Sequence, residues 1–317
     1  MKGLGFVFPG QGSQKQGMLS DLGMQFPVIT ETFKQASEVL GFDLWNLVQN
    51  DTKNELGKTS ITQPAILSSS VAIWRLWKAL GGASPALMAG HSLGEYSALV
   101  CSGVLDFQDA ARLVQKRGEL MQSAVPEGLG GMAAIVGLDD EKVMAACAQA
   151  AESQVVAAVN FNSPGQVVIA GHNDAVNRAI ALCKSAGAKR ALLLPVSAPF
   201  HCSLMKPAGE EFAQELHKVS FHPPEIPVVQ NFGLKTPTDI AVIKENLIKQ
   251  FYNPVPWVET VGLFAVRGIT RILEIGPGRV LCGLIKRTQD QLEVAAVNDV
   301  PSLQGALESE KNQDIQS

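Results

Sequence analysis

The 317-residue chain is short of charge, with Asp, Glu, Lys and Arg at 18% against roughly 25% in an average soluble domain. The balance is slightly acidic, a net −4 at pH 7. No basic field draws nucleic acid to such a surface, so an anionic ligand has to be held by a local cluster. No run of about 18 apolar residues is present to span a bilayer. The start, Met1-Lys2-Gly3 and a short apolar strand, lacks the apolar core and cleavage site of a secretory signal. The five cysteines, at 101, 147, 183, 202 and 282, form no C-x-x-C pair and no zinc spacing. That pattern fits a reducing compartment and excludes a disulfide framework. The first glycine-rich loop, Pro9-Gly10-Gln11-Gly12, matches neither the dinucleotide nor the P-loop pattern, so nucleotide binding is rejected. What remains is a cytoplasmic protein without membrane or nucleic-acid partners, 46% apolar, long enough for one large domain or two ordinary ones.

Against that background one stretch stands out, Gly90-His91-Ser92-Leu93-Gly94. An apolar run at 86–89 leads in and a helical pattern leads out, the strand–turn–helix setting of a nucleophile elbow. Ser92 then lies at a helix N-terminus, where free N–H groups and the helix dipole favour negative charge. An ordinary turn with Ser as helix cap fits the pentapeptide equally well.

Along the chain, 4–8 read as a buried strand. Helical patterns cover 28–40, 64–80 with Pro64 as first helical residue, and 107–123. On the last of these the apolar stripe of Ala110, Leu113, Val114, Leu120 and Met121 includes Arg117. A charged fork on an apolar face either snorkels and pairs with a structural carboxylate or faces a cavity and grips a substrate anion. Spacing alone tilts slightly to the former. Residues 128–197 read as a unit with strands at 132–136, 155–159, 167–170 and 191–196. Its helices run from Asp139, a cap, to about 150 and over 174–186. This βαββαβ order is the split ferredoxin-like pattern. Further helices are expected near 203–217, 240–251 and 280–287, with a short strand at 228–230 and a frayed polar tail over the last fifteen or so residues.

A serine needs a base. Of the histidines at 91, 172, 201, 217 and 222, His91 should point away from its neighbour and His172 falls in a turn. His217 and His222 read as solvated. His201, just after a strand, is best placed, because α/β folds gather their sites at strand C-terminal ends. The α/β-hydrolase order of Ser, acid, then a late His is not met, since no histidine follows 222.

The motifs Phe8-Pro9-Gly10-Gln11-Gly12, Gln63-Pro64-Ala65, Gly90-His91-Ser92-Leu93-Gly94-Glu95-Tyr96 and Gln115-Lys116-Arg117-Gly118 recur in order with four others. These are Asn160-Phe161-Asn162-Ser163-Pro164-Gly165-Gln166, Ala198-Pro199-Phe200-His201, Tyr252-Asn253-Pro254-Val255 and Glu274-Ile275-Gly276-Pro277-Gly278. In this the chain resembles the malonyl-CoA:acyl carrier protein transacylase family over nearly its whole length. The resemblance implies an α/β fold: a hydrolase-like parallel-sheet core (1–127 and 198–317) with an inserted ferredoxin-like small domain (128–197). It implies Ser92 as nucleophile, His201 as base, and Gln250 holding His201 through an uncharged acceptor. Gln11 and Leu93 would form the oxyanion hole. Arg117 would bind the malonyl carboxylate, Phe200 would favour malonyl over methylmalonyl, and Gln63, Asn160 and Asn162 would line the substrate site. Malonyl-CoA and an acyl carrier protein are the implied partners, with no cofactor. Lys189, Arg190, Lys286 and Arg287 are the basic candidates for the acidic carrier. Asn231-Phe232-Gly233 and Pro256 depart from common family patterns and unsettle local loop shape. The rivals are a serine esterase or thioesterase using water, and a non-catalytic carrier-binding scaffold.

Overall fold

A computed structural model describes residues 3–196 and 198–316, with side chains of the last helix as far as 311. Ser197, where the sequence closes the insert, and Met1, Lys2 and Ser317 lie outside the described residues. The elements begin with β1 (Gly3–Phe8), α1 (Ser20–Gln25), α2 (Pro27–Leu40), α3 (Leu44–Asn50), α4 (Thr59–Ala79), β2 (Leu87–Gly90), α5 (Gly94–Cys101) and α6 (Phe107–Ser123). Next come β3 (Gly130–Val136), α7 (Asp140–Ala151), β4 (Val156–Ser163), β5 (Gln166–His172), α8 (Asn173–Ser185) and β6 (Arg190–Leu193). The chain continues through α9 (Lys206–His217), β7 (Val228–Val229), α10 (Ile240–Gln250), α11 (Trp257–Val266), β8 (Ile269–Ile275), α12 (Val280–Thr288), β9 (Glu293–Val297) and α13 (Val300–Gln316).

Two sheets organise these elements. The larger is parallel throughout, in the order β7-β2-β1-β8-β9. β1 at its centre is apolar from Leu4 to Phe8 and almost wholly buried, as a strand covered by helices on both faces must be. The second sheet is antiparallel, in the order β4-β5-β3-β6. One apolar cluster joins its strands to α7 and α8; a smaller one, with Met132, Val168 and Cys202, lies apart from it. β4 ties the second sheet to the segment just ahead of α11. The Phe161 N–H donates to the Val255 carbonyl at 3.0 Å, and the Val255 N–H donates to that of Val159 at 2.8 Å.

Several boundaries differ from expectation. Pro64 is not the first helical residue: α4 starts at Thr59 and carries the proline inside. The missing N–H is tolerated in a helix held by near-complete burial. Asp139 stands at the N-cap of α7, but its side chain makes no capping bond. The C-terminal segment is not frayed but helical, α13, anchored by buried Leu303 and Ala306 and by ion pairing of Glu310 with the buried Arg271 of β8. α11 and β9 were not expected: no helix was placed between 251 and 280, yet Pro256 is the cap of one. β9 is too short to show alternation.

Two close approaches place the site. A Cβ on Gly94 would lie 2.0 Å from the Phe8 carbonyl oxygen, and one on Gly90 would lie 1.8 Å from the Gly94 carbonyl carbon. Only glycine lets β1, β2 and α5 converge behind Ser92. A Cβ on Gly118 would come within 2.7 Å of Ser60 Cα and the Thr59 oxygen, so α4 and α6 cross at that residue. This contact brings Gln63 against Arg117. Gly118→Ala is therefore expected to lower stability by about 1–3 kcal/mol, read from urea unfolding; an unchanged midpoint would refute the tight crossing.

Candidate active site

The carboxyl ends of the parallel strands open on a cavity of about 510 Å³ that reaches to the second sheet. Gln11, Ser92, Leu93, Arg117, His201 and Phe200 line it, with Gln63, Asn160 and Asn162. All the expected site residues reach it except Gln250, which lies one layer behind.

Ser92 sits at the turn between β2 and α5 with φ of 51°, a left-handed conformation that a non-glycine residue holds only under constraint. Its Oγ is 2.7 Å from His201 Nε2. His201, also left-handed at φ 64°, has its Nδ1 2.8 Å from the main-chain oxygen of Gln250. That carbonyl belongs to the last residue of α10, one of the helix-end acceptors without an intrahelical donor. A carbonyl can only accept, so the proton sits on Nδ1 and Nε2 presents a lone pair to the Ser92 hydroxyl. The uncharged acceptor that Gln250 offers His201 is thus its backbone carbonyl, not its side chain. Burial first, then the Arg117 charge, push the His201 pKa down to about 3. The imidazole is neutral and free to take a proton.

The Gln250 side chain serves Arg117 instead. Its Oε1 accepts from Arg117 Nη2 at 2.9 Å, while its Nε2 donates to the Ser92 carbonyl at 3.1 Å and to Glu95 Oε2 at 2.9 Å. Arg117 is 1% exposed. Nη1 donates to Gln63 Oε1 at 2.9 Å and Nη2 to Ser92 Oγ at 3.2 Å. The guanidinium carbon lies 5.3 Å and 5.4 Å from the ring centres of Tyr96 and Phe251. Among the described residues no carboxylate lies within ion-pair distance of it, so the structural pairing that spacing tilted toward is absent. A buried guanidinium held only by neutral oxygens and aromatic faces, with its fork at the nucleophile, is arranged for an anion that arrives from outside.

Gln11 Nε2 is 3.3 Å from Thr59 Oγ1, and Leu93 stands ahead of the first turn of α5, where N–H groups lack intrahelical partners. Asn162 Oδ1 is 2.8 Å from His91 Nε2, which turns His91 away from Ser92 and ties the elbow to the small sheet. Asn160 Oδ1 is buried without a partner. Of the basic candidates, Lys286 bonds the carbonyls of Asp290 and Leu292, and Arg287 bonds Ser163 and Gln166; Arg190 on β6 is exposed. Glu274 accepts from the N–H groups of Leu281 and Cys282, so this motif caps α12 along the cavity wall.

Sequence reasoning missed Glu95 and Asn231. Asn231 Oδ1 accepts from the Ser92 N–H at 2.8 Å and its Nδ2 donates to the Gly90 carbonyl at 2.7 Å. The residue flagged as a local oddity therefore holds the elbow. Glu95 is fully buried on α5, whose residues are almost all buried. A carboxylate inside an otherwise apolar helix was the signal available.

Residues 5–314 match the acyl transferase domain family. The malonyl CoA-acyl carrier protein transacylase of Salmonella typhimurium is 57% identical over 302 residues, 95% of this chain and 98% of that protein. The one from Bacillus subtilis is 42% identical over 314 residues, 99% of each. An acyl carrier protein S-malonyltransferase from Vibrio cholerae superposes with a TM-score of 0.94 at 57% identity, covering 96% of this chain and 99% of that one. A malonyl-transacylase solved in complex with a type II polyketide acyl-carrier protein gives 0.96 at 57% identity, over 97% and 99%. By family model, sequence identity and fold alike, the chain belongs to the acyl transferase family, among the malonyl CoA-acyl carrier protein transacylases.

Proposed function

We propose that this enzyme moves a malonyl group from malonyl-CoA to the phosphopantetheine thiol of an acyl carrier protein, through a malonyl ester on Ser92, in fatty-acid or polyketide synthesis. The observation that carries the reading is the buried Arg117 fork beside Ser92 Oγ, which has no ion-pair partner among the described residues. The Ser92 hydroxyl attacks the thioester carbonyl while His201 Nε2 takes its proton. The oxyanion is met by the Leu93 N–H and the Gln11 donors. Collapse expels the CoA thiolate, and His201 returns the proton to it. The carrier thiol then gives a proton to His201, attacks the ester and leaves as the malonyl thioester, restoring Ser92. Exchange between thioester and thiol involves no redox or hydration step, so no cofactor is needed.

The malonyl carboxylate on Arg117 offsets a charge that helps hold His201 down, so binding the right acyl group also strengthens the base. Acetyl leaves the cation uncompensated. Phe200, Gln63, Asn160 and Asn162 shape the space around the acyl chain and pantetheine arm. The parallel sheet over 1–127 and 198–317 reads as the hydrolase-like catalytic domain, and 128–197 as the ferredoxin-like insert. Support for the latter is the βαββαβ order with sheet order β4-β5-β3-β6 and a separate core with α7 and α8. The described residues hold no helix long and apolar enough to cross a membrane. The five unpaired cysteines support a reducing, cytoplasmic setting.

Incubation with malonyl-CoA is expected to add one malonyl mass to the intact protein. An adduct that survives Ser92→Ala would overturn the assignment. Arg117→Ala is expected to cut malonyl loading by about 10- to 100-fold, the range of a charged hydrogen bond, and acetyl loading far less; equal losses would refute the clamp. Reversing Lys189 and Arg190 to glutamate should raise KM for the carrier and leave loading from malonyl-CoA unchanged, and an unchanged carrier KM would remove that face as the docking site.

A further inference from the structure

Behind the nucleophile lies a buried network that the acyl-transfer steps do not use. Its centre is the Glu95 carboxylate, 0% exposed. Oε2 accepts from the Asn231 main-chain N–H at 2.8 Å and from Gln250 Nε2 at 2.9 Å, and Oε1 accepts from Gln230 Nε2 at 3.0 Å. Gln230 is fixed in turn by Asn246 Nδ2, which donates to its Oε1 at 2.8 Å.

Two amides leave this carboxylate for the site, one to each side of the Ser92 residue. Asn231 accepts from the Ser92 N–H, and Gln250 donates to the Ser92 carbonyl. Between them they hold the left-handed Ser92, a conformation that persists only when its surroundings over-determine it. An amide side chain can turn over and exchange its oxygen for its nitrogen, unless its partners forbid it. Ionised Glu95 can only accept, so it forces the Gln250 nitrogen inward and leaves the Gln250 oxygen facing Arg117.

We propose that Glu95 is a positioning residue for both halves of the site: through Asn231 and Gln250 its carboxylate holds the strained Ser92 turn and aims the Arg117 fork. This rests on the malonyl-transfer reading and deepens it. The role requires an acceptor on both oxygens. A glutamine at 95 offers one oxygen and one NH₂, so donors meet donors on one side of the network.

Arg117 of α6 is the charged side chain acting on Glu95, and Tyr96 of its own helix the other titratable group coupled to it. The groups in contact, Gln230 and Asn231 after β7 and Gln250 of α10, are neutral amides. Burial outweighs these bonds and raises the Glu95 pKa to about 7. Ionisation of the group therefore falls in an accessible range, well separated from His201.

The test compares wild type with Glu95→Gln in two single-turnover reactions. One is malonyl loading from malonyl-CoA, which uses Ser92 and Arg117; the other is inactivation by phenylmethylsulfonyl fluoride, a neutral reagent that reports Ser92 alone. Glu95→Gln is expected to slow malonyl loading by about 10- to 100-fold and sulfonylation by a smaller factor. In wild type, loading should fall as pH drops through about 7, because protonation removes an acceptor, and the variant should lack this limb. Wild-type rates of malonyl loading in the folded variant would overturn the proposal. If that variant does not fold, Glu95→Asp takes its place: it draws the carboxylate one methylene back from Asn231 and Gln250, and wild-type malonyl loading in it would overturn the proposal. Should wild type take no malonyl adduct, the functional reading fails instead, while sulfonylation still reports whether Glu95 supports Ser92.

Discussion

A guanidinium buried without a carboxylate is the constraint on which the rest of this site depends. Removing such a charge from water costs on the order of several kcal/mol. Here neutral carbonyl oxygens from Gln63 and Gln250, the Ser92 hydroxyl and two aromatic faces offset part of that cost. A directly paired carboxylate would offset more, but would leave the fork occupied. Partial compensation keeps it available for an anion on the substrate. The same burial serves the chemistry, since an acyl-enzyme waiting for a thiol must be kept from water.

Charge is distributed around the dyad with the same economy. A protease holds its histidine with an aspartate, whose charge strengthens the base. Here the helix-end carbonyl of Gln250 fixes the tautomer without adding an ion, and the nearby Arg117 weakens the base further. The buried carboxylate, Glu95, is kept behind the nucleophile and reaches Arg117 through an amide. Both reacting residues, Ser92 and His201, sit in left-handed backbone conformations. Each is held by a hydrogen bond to a residue far away in sequence.

Much of the fold was legible because its signals are local. The buried run of β1, the amphipathic α2, α6 and α8, and the order of strands and helices over 130–193 follow from period and turn chemistry. Pro64 misled because a proline usually starts a helix, and burial overrode that preference. α11 was hidden by Pro256, which caps it and does not interrupt it. The tail read as frayed because its polar residues conceal two buried contacts and an ion pair with β8.

The sequence alone determined Ser92 in its elbow and Arg117 on an apolar stripe, a residue type at odds with its surroundings; it also picked out His201, but β6 stops at Leu193 in the antiparallel sheet, so the histidine follows a loop and not a strand's end. Spacing could not say whether Arg117 had a carboxylate partner, which atom of Gln250 faced His201, or what Asn231 and Glu95 were for. Those answers depend on contacts between residues 49 to 158 positions apart. Such contacts exist only once β1, β2, α4, α6 and α10 have packed around the glycines that let them converge.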